Sequence, residues 1–188
     1  KNGKEQAKAA GRFLSNVDFN KAFSSSMTRP KETAKEILKF HGGLELILEN
    51  ELKEINHGLW EGKLESEIAQ EWPELLEQWK NSPETVEMPQ GESIHDVWNR
   101  SIECMKKITQ TLTSSETVLV VAHDAVNKTI ICEALGLSSA DIWMIKQGNG
   151  GVTVLDITQD LSQPNVVTCI NLTSHLGGIL DQTASGAL

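Results

Sequence analysis

Apolar positions along this chain follow two rhythms, steps of three and four and short unbroken runs, and the two alternate. Residues 3–14 (GKEQAKAAGRFL) put Ala7, Ala10, Phe13 and Leu14 on one helical face. No strand precedes that helix, so a first strand is expected to be missing from the sequence as read. Asp18 to Ser25 reads as a short strand. Pro30 to Leu38 (PKETAKEIL) reads as a helix with proline in its first turn, where the absent N–H costs nothing. After the Gly42-Gly43 break, Leu44 to Leu52 alternates apolar and acidic positions like an exposed edge strand.

The second half repeats the theme. Ser93 and Asp96 form a capping-box-like pair, and Ile94, Val97, Trp98, Ile102, Met105, Ile108 and Leu112 follow at helical spacing. Thr117 to Ala122 is a continuous apolar run, as for a parallel strand covered on both faces, and residues 124–135 return as a helix stopped by Gly136. Gly151 to Ile157 and Asn165 to Leu172 are two more strand candidates. Alternation of this kind predicts an α/β three-layer sandwich, a mainly parallel central sheet with helices on both faces. Ligands in such folds bind outside the carboxyl ends of the strands.

Between these halves, Trp60 to Met88 is acidic and carries Trp60, Trp72 and Trp79, with prolines inside it at 73 and 83 and another just past its end at 89. It reads as helices inserted beside the sheet, a lid. The expected organisation is therefore a single domain over 1–176, with a lid insertion at about 60–90 and an irregular tail over 177–188.

Charge narrows the partners. A net charge of −9 and a pI near 5.0 argue against holding nucleic acid or an anionic membrane by general electrostatics, so an anionic small molecule needs a local basic pocket. Cys104, Cys132 and Cys169 are widely separated among apolar residues. They suit small buried hydrophobes in a reducing, cytoplasmic setting better than a disulfide framework. No apolar run approaches the roughly 20 residues of a membrane helix, and no secretory signal opens the chain. Oligomeric state stays open, a homodimer included.

Within this frame His123 is the first candidate for chemistry. It follows the most apolar strand and precedes a helix, so a group bound beside it faces free backbone N–H groups and the positive end of a helix dipole. The competing reading is a strand-end histidine satisfied by a hydrogen bond, with Asp124 an ordinary N-cap. Arg29 sits in the first turn of another helix, where a cation opposes the dipole by roughly 0.3–1 kcal/mol unless an anion lies beside it. Its planar fork of donors suits phosphate oxygens, although an arginine pointing to solvent is the commoner case. Glu54 and Glu92 are not singled out by spacing. If Glu54 faces a pocket, burial would raise its pKa and let it protonate a leaving oxygen. The plainer role for Glu92 is a helix-start carboxylate favoured by the dipole.

Four stretches occur in order: Ser24-Ser-Ser-Met-Thr-Arg29-Pro-Lys-Glu-Thr-Ala34, Leu52-Lys-Glu54-Ile-Asn-His-Gly58-Leu-Trp-Glu-Gly62, Pro89-Gln-Gly-Glu-Ser93 and Val120-Val-Ala-His123-Asp124. Together they resemble the histidine phosphatase superfamily, also called phosphoglycerate mutase-like, and its phosphatase branch in particular. Gly3-Lys-Glu-Gln-Ala7 resembles the family's first helix. The resemblance implies no metal, no cofactor, and a two-step reaction in which a histidine takes the phosphoryl group and water then removes it. It makes Arg29 a phosphate-clamping arginine, His123 the second pocket histidine and Glu54 the proton donor. Glu92 belongs to an element bordering the pocket. Asp124 stands where many members have glycine, bringing a carboxylate close to the phosphate.

The family's nucleophile lies in an Arg-His-Gly motif at the end of its first strand, and no Arg-His-Gly occurs in this chain. His41, His57, His95 and His175 stand in other contexts. The simplest expectation is that the sequence begins after that segment, so the intact parent is the enzyme and this chain alone is inactive. The leading reading is a metal-independent phosphatase acting on a small phosphorylated metabolite. The alternatives are a phosphoglycerate mutase and a non-catalytic phosphate-binding or interaction domain.

Overall fold

A computed structural model describes residues 2–113, 115–158 and 164–177. Its centre is β1 (Lys21–Ser25), in a three-stranded parallel sheet of order β2-β1-β3, with β2 at Leu46–Glu49 and β3 at Val118–Val121. Phe23 aligns with Ile47 on one side and Val120 on the other. Side chains alternate across the sheet with period two. Ala22 and Leu119 meet Ala10 of α1 (Asn2–Phe13) and Ile37 of α2 (Thr28–Leu38). Phe23 and Val120 face the opposite layer, where Val97 and Ile102 of α5 (Ile94–Gln110) pack with Val126 and Ile130 of α6 (Asp124–Ala134). The three layers are those read from the sequence. β2 is an edge strand, as its alternation predicts, but it is shorter than expected because the chain turns into a 3-10 helix at Asn50–Leu52.

Both long helices of the second layer have the ends their sequence predicts. In α5 (Ile94–Gln110) the Asp96 N–H donates to Ser93 Oγ at 3.2 Å, and the Ser93 N–H donates to Asp96 Oδ2 at 2.9 Å. Past α6 (Asp124–Ala134), Gly136 takes φ +69°, the left-handed conformation that lets the chain leave a helix. Cys104 and Cys132 are buried, and burial pushes both thiols up to about 11; Cys169 is half-buried.

The stretch from Trp60 to Met88 holds α3 (Glu65–Glu71) and α4 (Pro73–Asn81). It shares the principal core with α5 and α6, burying Trp60, Ile68, Leu76, Trp79, Val86 and Met88. The last two strand candidates do not join the parallel sheet. β4 (Val152–Asp156) and β5 (Val166–Leu172) form their own antiparallel pair. The pattern of β5, alternately exposed and half-buried along its length, is that of a sheet wetted on one face, which antiparallel pairs tolerate. β3 and β4 are each paired along one edge, and both line a cavity of about 1840 Å³ that Ala7, Ala10 and Ile108 also border. Of the expected irregular tail over 177–188, the part beyond Gly177 lies outside the described residues. No helix among the described residues is long and apolar enough to cross a membrane.

Candidate active site

Parallel pairing of β1 with β3 puts their carboxyl ends side by side, and so brings Ser25 to His123. His123 Nε2 lies 3.0 Å from Ser25 Oγ, with the imidazole buried. Burial, then the Arg29 cation and then Arg100, lower the His123 pKa to about 4, so the ring is neutral at neutral pH. His123 is also the N-cap of α6, in extended conformation, with Asp124 opening the helix.

Arg29 lies in the first turn of α2, exposed, and no acidic side chain shares that turn. The dipole penalty read from the sequence therefore has no local remedy, and a bound anion would supply one. Glu54 comes from the loop after the 3-10 turn at Asn50–Leu52. Its Oε2 accepts from the Asp124 N–H at 3.1 Å and its Oε1 from the Ile55 N–H at 3.1 Å. Burial raises the Glu54 pKa, with the neighbouring Asp124 carboxylate adding to the rise and backbone N–H groups opposing it. A carboxyl in that setting can hold and donate a proton.

Glu92 faces elsewhere. Its Oε1 takes the Nε–H of Arg100 at 2.8 Å, and its Oε2 accepts from Arg100 Nη2 at 3.1 Å and from the Asn56 N–H at 2.8 Å. Arg100 also donates to the carbonyls of Glu51 at 2.6 Å, Lys53 at 2.7 Å and Glu54 at 3.2 Å. The guanidinium thus gathers the loop that carries Glu54, and Glu92 orients the guanidinium. The glycines of the two motifs close the same unit. Gly58 has φ +54°, and a Cβ there would sit 2.1 Å from the Pro89 carbonyl oxygen; at Gly91 one would sit 2.3 Å from that of Asn56. Nothing in the sequence marks Arg100, because its partners lie 46–49 residues away in the loop and eight away at Glu92.

Asp124 is paired with Lys128, their charges 2.8 Å apart. Arg29, Glu54, Asp124 and Lys128 line a second cavity of about 430 Å³, walled by Trp143 and also reached by His57. Spacing alone does not mark His57 for this cavity; burial lowers its pKa, against a smaller opposing effect of Glu61. Arg29, Glu54 and Asp124 border both cavities, and His123 borders the larger one beside them. The structure therefore brings Arg29, Glu54, His123 and Asp124 together and turns Glu92 toward the loop's support. Among the described residues no cluster of three or more His, Cys, Asp or Glu side chains is spaced to hold a metal ion.

The chain is similar to known proteins over nearly all its length. The model of the histidine phosphatase superfamily (branch 1) matches residues 1–169. Phosphoserine phosphatase 1 of Hydrogenobacter thermophilus is 32% identical over 175 residues, which are 93% of this chain and 81% of that protein. The 2-carboxy-D-arabinitol-1-phosphatase of Triticum aestivum is 30% identical over 90% of this chain, which spans only 34% of the wheat protein. Among solved structures, YhfR of Bacillus stearothermophilus superposes with a TM-score of 0.86 at 25% identity, over 94% of this chain and 85% of that one. The chain belongs to the histidine phosphatase superfamily, branch 1.

Proposed function

We propose that the parent protein hydrolyses a small phosphomonoester without a metal, by way of a phosphohistidine. The observation that carries this reading is the meeting of Arg29, His123 and Glu54, from three distant segments, in the wall of one cavity, with Arg29 and Glu54 also lining the smaller one. Phosphoryl transfer asks mainly for positioning and for neutralisation of charge on the equatorial oxygens. Arg29 supplies a fixed cation and a fork of donors. His123, neutral when the site is empty, gains a proton as a phosphate dianion approaches and then donates to it. Glu54 gives its proton to the ester oxygen as the bond from phosphorus to that oxygen breaks and the bond to the nucleophilic nitrogen forms. In the second step the Glu54 carboxylate takes a proton from water as the water oxygen attacks phosphorus, releasing phosphate and restoring both residues.

In this reading the nucleophilic histidine belongs to a strand outside these 188 residues. The free edges of β3 and β4 border the larger cavity, and a strand laid there parallel to β3 would end beside His123. The packed segment from Trp60 to Met88 acts as the wall of the smaller cavity and confines the organic part of the substrate. Hydrolysis is favoured over mutase activity by how compact that segment is. The test is hydrolysis of p-nitrophenyl phosphate in EDTA by the natural full-length protein, with most of the activity lost in His123→Ala and in Arg29→Ala. Full activity in either variant would overturn the assignment.

A further inference from the structure

The His123 ring is neutral at neutral pH, so it carries one proton on one of its two nitrogens, and the choice of nitrogen decides what it offers a bound group. Ser25 makes that choice. It ends β1, fully buried, with its Oγ between two partners. The Met27 N–H donates to that oxygen at 3.3 Å, a turn contact between residues two apart, and His123 Nε2 stands 3.0 Å from it. The neighbouring hydroxyl, on Ser24, is used elsewhere and donates to the Ser25 carbonyl at 3.0 Å.

The simplest account of Ser25 is a strand-end hydroxyl that steadies the turn into α2. That contact uses only a lone pair, and the hydroxyl hydrogen must still be placed. A hydroxyl has one hydrogen to give and two lone pairs. If Nε2 held the ring proton, it would take the second lone pair and strand the Ser25 hydrogen in a fully buried place, which costs free energy. If Nε2 is bare, the Ser25 hydroxyl donates to it and both partners are satisfied. The second arrangement puts the ring proton on Nδ1. With Nε2 taken by Ser25, Nδ1 is the nitrogen left for a group in the larger cavity, which His123 lines. A neutral ring held this way donates to a phosphoryl oxygen, whereas the other tautomer would turn a lone pair toward an anion. When the ring charges, the added proton goes to Nε2, the Ser25 hydroxyl rotates to accept it, and the Nδ1–H stays in place. Met27 is the N-cap of α2, two residues before Arg29, so one oxygen ties the imidazole to the start of the helix that carries the cation.

We propose that Ser25 is a positioning residue that locks the neutral His123 ring as its Nδ1–H tautomer, making it a donor to the phosphoryl group before it is charged. The lock rests on the geometry of the pair, and the donor role rests on the phosphoryl-site reading above. The test takes the chain at pH 7, isotope-labelled at its histidine ring nitrogens, and records two-bond proton–nitrogen correlation spectra, with His123 assigned by its loss in His123→Gln. Wild type should show a protonated Nδ1 and a bare Nε2. Ser25→Ala should shift the ring toward the Nε2–H form that free histidine prefers in water. A protonated Nε2 in neutral wild type, or an unchanged ring in Ser25→Ala, would overturn the lock and leave the phosphoryl-site reading standing. The wild-type spectrum decides the tautomer even where Ser25→Ala fails to fold. Sulfate, standing in for phosphate, supplies a second arm by titration calorimetry. Ser25→Ala should weaken its binding about fivefold in the otherwise wild-type chain and less than about twofold in a His123→Gln background, because Ser25 acts through the ring. Equal losses in the two backgrounds would show that Ser25 acts through the turn at Met27, and would overturn the positioning role. No binding of sulfate by a wild-type chain with its Nδ1–H ring in place would sink the phosphoryl-site reading, and the donor role with it, while the lock stands.

Discussion

The Glu54 carboxylate accepts a hydrogen bond from the backbone N–H of Asp124 at 3.1 Å, across 70 residues of chain. This contact ties the proposed proton donor to the helix start that carries His123, so the acid and the phosphoryl pocket move as one piece. In Glu54→Gln an amide oxygen can keep accepting that N–H while no proton is available. The natural full-length protein bearing this change should lose about 100-fold or more in kcat/KM with alkyl phosphates and less than about tenfold with p-nitrophenyl phosphate, whose leaving group needs no proton. Equal losses would move the acid role elsewhere.

The same residue sets a pH limb. Burial raises the Glu54 pKa and the reaction needs the protonated form, so kcat/KM for an alkyl phosphate should fall as pH rises through a value above the ordinary carboxylate range. Glu54→Gln should abolish that limb. A limb that persists in the variant would belong to another group.

His123 makes stability depend on pH with a definite sign. Its folded pKa is about 4 against about 6.5 when unfolded, so between these values the unfolded chain binds the extra proton. Its contribution is complete above about pH 6.5 and falls away as pH drops toward 4. Urea midpoints at pH 7 and pH 5 should differ more for wild type than for His123→Gln. Identical pH dependence in the two proteins would contradict the buried neutral imidazole.

The Arg100 hub should be structural and act on catalysis through Glu54. Arg100→Met leaves the Glu92 carboxylate without its cation and three loop carbonyls without their donor, an expected loss of roughly 2–4 kcal/mol in equilibrium unfolding. Activity should fall more with poor leaving groups than with good ones, as in Glu54→Gln, because the loop that is released carries the acid. A variant of wild-type stability would show that the loop holds itself.

Gly58 should tolerate no side chain. Ala at this position combines a positive φ with a Cβ 2.1 Å from the Pro89 carbonyl oxygen, so the turn at 88–91 must move. An unfolding cost of more than about 2 kcal/mol is expected, with Gly62→Ala as the milder comparison because open space surrounds that Cβ. Equal costs at the two glycines would refute the close approach.

Layers and helix ends were legible in the sequence because they are set locally: Ser93 and Asp96 cap α5 from three residues apart, and the apolar run at Val118–Val121 announces a strand covered on both faces. Arg29, His123 and Glu54 were legible at the elements' ends, the first two by electrostatics and Glu54 through its motif. What the sequence hid is pairing at a distance. β4 and β5 have strand character, but their antiparallel partnership depends on one wetted face that periodicity does not assign. Glu92 reads as a pocket residue until Arg100, on the next helix, claims it. Lys128 and Trp143, 15 residues apart, meet only because the chain folds back after α6.

That Arg29 and His123 serve one phosphate is tested most directly by titrating the chain with sulfate, a tetrahedral dianion that, unlike inorganic phosphate, does not itself change protonation between about pH 4 and 6.5. Wild type should bind one equivalent saturably, with net proton uptake between about pH 4 and 6.5 as His123 becomes charged beside the anion. Arg29→Ala and His123→Ala should each weaken binding by about tenfold or more, and the second should also abolish the proton uptake. Unchanged affinity in both variants, or binding with no proton uptake in wild type, would contradict it.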